Sequence, residues 1–137
     1  MKTLAVLFGL NYNYTSNTNE RDKSKNFVSN GDMKLKGCIN DTLNVANYLE
    51  VNGIKNIEIY NDIDNIEDTT CKGFVTHFQD IIDRSYSENL DYVFFYYSGH
   101  GTNVECHEGD ELDGRDECIV PSDYNINGVI KDDLIID

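Results

Sequence analysis

The chain has 137 residues, 39% of them apolar and 26% charged, with a single proline, which is one domain's worth of sequence with enough apolar residues for a core. Eleven Lys and Arg face 25 Asp and Glu, for a formal net charge of −14. Such an acid excess repels phosphate backbones and anionic lipid surfaces, so nucleic acid and membrane are not expected partners, while cationic substrates and hard metal ions suit it.

Leu4-Ala5-Val6-Leu7-Phe8 is a short apolar run ending at Gly9. Runs of this kind form strands covered on both faces, as in a parallel sheet. A secretory leader is the alternative, but the run is short, meets Asn11-Tyr12-Asn13-Tyr14 directly and lacks a small-residue cleavage site. Residues 14–34 are polar and read as a long surface loop. Ile39, Leu43, Ala46, Tyr48 and Leu49 then recur at helical spacing, with Asn52-Gly53 as a stop. Ile57-Glu58-Ile59-Tyr60 reads as a second strand. Asp68-Thr69-Thr70 offers a helix cap, and Phe74, Val75, Phe78, Ile81 and Ile82 line one face of the helix that follows. Asp91 to Tyr97 is a third strand, ending at Ser98-Gly99-His100-Gly101. Residues 102–117 read as an acidic loop, Cys118-Ile119-Val120 as a short apolar segment closed by Pro121, and Val129 onward as a further element. The order βαβαβ predicts an α/β fold with a mainly parallel sheet and helices packed on it.

The four cysteines, Cys38, Cys71, Cys106 and Cys118, are widely spaced and form no CxxC pair. Two disulfides are possible on count alone, but a domain of this size does not need them, and free thiols in a reducing, cytoplasmic compartment are the expected state. No apolar stretch approaches the ~20 residues that a membrane-spanning helix requires.

Ligands of an open parallel α/β sheet gather beyond the carboxyl ends of its strands. His100 falls there, between two glycines, where the backbone can turn sharply and the ring can act as a general acid or base. A histidine that merely caps a strand end is the plainer reading, but the Tyr-Ser-Gly-His-Gly context favours a functional one. Asp41 on its own reads as a helix-start carboxylate meeting the dipole, and Cys38 as a small buried hydrophobe.

Tyr96-Tyr97-Ser98-Gly99-His100-Gly101 resembles the catalytic-histidine motif of the metacaspases, a family of caspase-like cysteine peptidases. Other segments agree in order. Leu4 to Tyr12 is similar to the family's opening strand and its G-I-N-Y turn. Leu35 to Asp41 is similar to its L-x-G-C-x-N-D helix start, Asp113 to Asp123 to its acidic loop and P-x-D segment, and Gly128 to Asp133 to its I-x-D-D step. The resemblance implies a caspase-like three-layer sandwich and endopeptidase cleavage after Arg or Lys of a peptide or protein substrate by a Cys–His dyad. It makes His100 the dyad histidine and sets Gly101 beside the oxyanion. Cys38, Asp41 and Ser98 become the pocket for the basic side chain, where a carboxylate suits a guanidinium or ammonium. It makes Asp116, Asp132 and Asp133 ligands for Ca²⁺, expected to bind weakly; a solvated acidic loop is the alternative. A zinc site from Cys106, His107 and Cys118 fits no ordinary module.

The family's nucleophilic cysteine lies on a later strand, in a D-x-C-x-S-like motif that no cysteine here matches. The resemblance therefore implies a truncated sandwich, inactive alone or completed by a second chain. The alternative is a non-catalytic caspase-like binding or regulatory module. Either way the third strand keeps an open apolar edge, which predicts self-association or a strand-donating partner. A calcium-responsive acidic domain without peptidase ancestry is a further reading. A flavodoxin-like domain is disfavoured because Gly9-Leu10-Asn11 lacks a glycine-rich phosphate loop.

Overall fold

The computed structural model describes residues 1–13, 34–105 and 115–131, with the side chains of all but 103–105 and 115–117. Strand β1 (Thr3–Gly9) is followed by helix α1 (Cys38–Val51), strand β2 (Ile57–Asn61), a 3₁₀ turn at Ile66–Thr69, helix α2 (Cys71–Ser87) and strand β3 (Tyr92–Ser98). β1 lies in the middle of a three-stranded sheet of order β2-β1-β3, parallel to both neighbours. Leu4 to Phe8 are all at most 1% exposed, which explains the unbroken apolar run: this strand has no solvent face.

Side-chain alternation sends β1 into two cores. Leu4, Val6 and Phe8 face α2, where Phe74 is fully buried and Phe78 and Ile81 pack beside it. Ala5 and Leu7 face α1 and meet Leu49, Val45 and Ala46. The layers are thus helix, parallel sheet, helix, as the α/β sandwich predicted.

Local chemistry sets the helix ends. Thr70 caps α2, its Oγ1 accepting the Gly73 N–H at 3.0 Å, and the Asp123 carboxylate accepts the Cys71 N–H at 2.8 Å. Gly73 is required because a Cβ there would meet the Glu67 and Asp68 carbonyl oxygens at 2.4 and 2.5 Å. α1 stops at Asn52-Gly53, with Gly53 at φ 95°.

Several expectations need adjustment. Val75 and Ile82 stand on the flank of α2, 46% and 50% exposed, and Leu43 and Tyr48 on α1 are 51% and 67% exposed. Residues 102–117, expected as an acidic loop, instead open and close with strand. β4 (Gly101–Glu105) pairs antiparallel with β5 (Arg115–Ile119), and β5 with β6 (Ile130–Lys131), after the short helix α3 (Tyr124–Asn127). Val120 and Ile130 bury against the α2-side core, so this second sheet closes that core. The polar segment 14–33 lies outside the described residues.

Cys38 and Cys71 are free thiols. No helix among the described residues is long and apolar enough to cross a membrane.

Candidate functional site

β1 and β3 both run toward the end of the sheet where α1 begins, and Cys38, Asp41, Ser98, His100 and Gly101 lie at that end. Gly9 allows the close approach: a Cβ on it would lie 2.7 Å from the Cys38 carbonyl oxygen and 2.8 Å from Thr42 Cγ2. The first turn of α1, carrying Cys38 and Asp41, therefore sits against the end of β1.

Asp41 faces the last residue of β3, and Ser98 Oγ donates to its Oδ2 at 3.3 Å. The carboxylate is otherwise exposed and retains lone pairs for a cationic group. Asp41 also occupies the first turn of α1, so it meets the helix dipole while pairing with Ser98. Cys38 opens the same helix and is partly buried.

His100 follows two residues after Ser98, and two tyrosines grip its backbone. Its N–H donates to Tyr12 Oη at 3.0 Å, and its carbonyl accepts from Tyr97 Oη at 2.6 Å. Tyr12 Oη in turn donates to the Val120 carbonyl at 2.7 Å and lies 2.9 Å from Tyr97 Oη. The rings of Tyr12 and His100 are 4.9 Å apart at 46°. The flanking glycines differ in purpose. A Cβ on Gly99 would lie 2.5 Å from Tyr97 Oη and 2.8 Å from Tyr12 Oη, so the hydroxyl pair demands glycine there. At Gly101 the nearest atom, the Cys118 carbonyl oxygen, is 3.7 Å away, so its space would accept a side chain. Burial pushes the Tyr97 hydroxyl up to about 12, with the neighbouring Tyr12 hydroxyl and the Val120 backbone acting the other way.

Sequence reasoning missed the support beneath this arrangement. Tyr12 sits at φ 59°, a left-handed conformation rare for a bulky residue. Asp62, 2% exposed just past β2, holds that turn by accepting the Asn11 N–H at 3.1 Å and the Tyr12 N–H at 2.8 Å. Burial raises the Asp62 carboxyl above its usual range, and those two amide donors pull it back. Asn11 Oδ1 accepts the N–H groups of Cys38 and Ile39 at 3.0 and 3.4 Å. It thereby caps a helix whose own N-cap, Gly37, has no side chain to offer. Only the Asn11-Tyr12 motif signalled this turn; nothing in the periodicity marked Asp62.

Cys71 and Cys118 differ from an activated nucleophile. Cys71 is raised by burial and by the neighbouring Asp123 carboxylate, the opposite of what attack requires. Cys118 is 6% exposed. Cys106, His107, Asp132 and Asp133 lie outside the described residues, as does the side chain of Asp116. Among the described residues no group of three or more His, Cys, Asp or Glu side chains gathers to hold a metal.

Comparison with known proteins supplies the frame. The fold is similar to that of protein GSU0716 from Geobacter sulfurreducens, with TM-score 0.64, 22% identity, and 98% of this chain and 43% of that one covered. In sequence, the chain is 34% identical over 135 residues to Metacaspase-1 of Mycosarcoma maydis, covering 96% of this chain and 29% of that protein. It is 34% identical over 116 residues to Metacaspase III c of Phaeodactylum tricornutum, covering 82% and 34%. It is 36% identical over 146 aligned positions to Metacaspase-1 of Lodderomyces elongisporus, covering 95% and 32%. The chain thus spans about a third of the length of these relatives. Residues 3–137 match the metacaspase, peptidase C14 domain, and the chain belongs to this family of caspase-like cysteine peptidases.

Proposed function

We propose that residues 1–137 supply the histidine and the basic-residue pocket of a cysteine endopeptidase that cleaves after Arg or Lys, with the nucleophilic thiol coming from chain outside these residues. The observation that carries the reading is the meeting of Asp41 with Ser98 two residues before a histidine whose backbone is gripped on both sides. In this reaction His100 keeps the attacking thiol ionised and then protonates the leaving amine, while the Gly101 N–H faces the developing oxyanion. Asp41, with Ser98 and Cys38 beside it, receives the guanidinium or ammonium of the substrate.

The 137-residue chain alone is expected to leave Arg- and Lys-peptide amides intact, with or without Ca²⁺. Fusion to the cysteine-bearing remainder of a relative's catalytic domain should confer cleavage that His100→Ala abolishes. Asp41→Asn in the fusion should lower kcat/KM roughly 10–100-fold, the worth of one charge-assisted hydrogen bond. Cleavage by the chain alone that disappears in Cys106→Ala would place the nucleophile in this chain and overturn the reading.

Calcium belongs to the same proposal. Asp116, Asp132 and Asp133 supply three carboxylates. Because Ca²⁺ takes six to eight oxygens, the expected affinity is on the order of 10⁻⁴–10⁻³ M. Calorimetry on the wild type and on Asp132→Ala/Asp133→Ala checks it, and equal heats would remove the site.

A second reading, a non-catalytic module that binds through its sheet edge, is favoured by β3. Among the described strands β3 pairs only on its β1 side, and Tyr92, Val93 and Phe94 are 65%, 38% and 43% exposed. With Leu49 and Ile54 they line an apolar cleft of about 240 Å³. Concentration-dependent sedimentation that Phe94→Lys suppresses would support it; a monomer at all concentrations would not.

A further inference from the structure

We infer that Asp62 is a positioning residue that holds both halves of the candidate site through the single turn at Asn11 and Tyr12. The inference rests on the reading of His100 and Asp41 as that site. Asp62 comes from the end of β2, on the far side of β1 from His100. Its two carboxylate oxygens divide the work: Oδ1 takes the Asn11 N–H and Oδ2 the Tyr12 N–H. From that clamp the two side chains diverge. Asn11 Oδ1 reaches the amides of Cys38 and Ile39, which no intrahelical partner can satisfy, and so fixes the turn of α1 that carries Asp41. Tyr12 Oη reaches the His100 amide and the Val120 carbonyl, and so fixes the strand end that carries the histidine.

The left-handed Tyr12 backbone is what makes the divergence possible, and an unsubstituted turn would relax from it. A carboxylate whose two oxygens each accept one of two adjacent amides over-determines that conformation. An Asn side chain cannot do the same, because one of its two ends would set N–H against N–H. The arrangement thus converts one buried carboxylate into a common anchor for the pocket carboxylate and the histidine, which enter from different elements.

Amide hydrogen exchange on the 137-residue chain, resolved residue by residue by NMR, tests the division. In Tyr12→Phe the His100 amide should lose roughly tenfold in protection, the worth of one hydrogen bond, while Cys38 and Ile39 keep theirs. In Asn11→Ala the Cys38 and Ile39 amides should lose protection while His100 keeps its own. Asp62→Asn should release both sets, yet leave Val6 and Leu7 in the β1 ladder unchanged. Adding Tyr12→Phe to Asp62→Asn should cost His100 little more, since both act through one path. A uniform fall across all amides, β1 included, would make Asp62 a general stability residue and overturn the inference. So would an unchanged His100 amide in Tyr12→Phe, which decides the matter even if Asp62→Asn fails to fold. No substrate enters these measurements, so their failure leaves the peptidase reading standing, and failure of the peptidase assays leaves the anchor standing.

Discussion

On the α2 side of β1, Leu4, Val6, Phe8, Leu10 and Tyr12 pack with Phe74, Val120 and Ile130 in one continuous core. Phe8 is its centre, 4.4 Å from the Phe74 ring and 5.8 Å from the Phe95 ring. On the α1 side, among the described residues, the buried cluster is Ala5, Leu7 and Leu49, with aliphatic neighbours and Tyr96 at its margin. The difference teaches where stability and chemistry are kept. Aromatic rings on the α2 side bury the larger apolar area, and area sets the hydrophobic contribution. Small residues on the α1 side let a helix start come within contact of a strand end, and that helix start bears Asp41 and Cys38. The side that carries the candidate pocket is the lightly packed one.

The sharpest way to break this contrast is to empty one position on each side. Phe8→Ala and Phe74→Ala should each cost about 3–5 kcal/mol, the transfer loss plus a cavity that surrounding rings cannot fill. Leu49→Ala, at a site already 8% exposed, should cost about 2 kcal/mol, the low end for such truncations. Denaturant titration of the three variants checks this, and equal losses on the two sides would show that the cores are not unequal in the sense proposed.

Gly9→Ala probes the contact between the sides. The added methyl meets the Cys38 carbonyl carbon and oxygen at 3.1 and 2.7 Å, so backbone must give way. Overpacking of this kind costs about 1–3 kcal/mol. The expected signature is local, with amide shifts in Cys38 to Thr42 and near-native shifts in α2. Shifts spread equally over both helices would mean that α1 and α2 move as one body.

How much of this was legible in the residues depends on what each element owes to its own sequence. β1 announced itself because a strand covered on both faces reads as an apolar run, β2 and β3 through their β-branched and aromatic residues, and both helices showed their period. The parallel order followed from alternation and the handedness of crossovers. β4 did not announce itself: Gly101-Thr102-Asn103-Val104-Glu105 has no apolar alternation, and its strand character comes from pairing with Arg115–Ile119. Val75, Ile82, Leu43 and Tyr48 fitted the helical period but flank the buried stripe, because period fixes spacing and not the width of the face. In the site, His100, Ser98 and Asp41 were visible through motif and position. Asp62 was not, since Asn61-Asp62-Ile63-Asp64 looks like any polar turn and only tertiary packing makes one of its carboxylates buried.

Hydroxyls on the α2 side give a pH-dependent handle. Tyr97 and Tyr60 both border that core, and both are raised to about 12, first by burial. A raised acid keeps its proton in the folded state, so the stabilisation is whole below the unfolded value near 10. It is lost as pH climbs from there toward 12, because the unfolded chain ionises first. For Tyr97 the loss is on the order of 2 kcal/mol across that window. Tyr60 is more exposed and contributes less. Stability curves of wild type and Tyr97→Phe should diverge in slope only in the alkaline range. Parallel slopes there would mean that the Tyr97 proton is held no more tightly in the fold than out of it.

The smallest expected effect lies at the rim of the heavy side. Arg84 of α2 reaches Glu58 of β2 at 2.7 Å and also touches Asp80 and Glu88 at 3.4 and 3.3 Å. Its side chain is only 22% exposed, so its methylenes cover apolar surface while the guanidinium stays at the edge. Three carboxylates around one cation resemble an anchor, but Asp80 and Glu88 are about half-exposed and only four residues from Arg84, on α2 and at its C-cap. Such pairs contribute a few tenths of a kcal/mol each, and the Glu58 contact is the one that joins two elements. Arg84→Met keeps the stem and removes the charge, and it should cost about 1 kcal/mol or less at low ionic strength. Because screening weakens exposed pairs, the difference from wild type should shrink further in concentrated salt. A larger loss that persists in salt would show the Glu58 pair to be effectively buried, and would move part of the stability of the α2 side from its aromatic core to its rim.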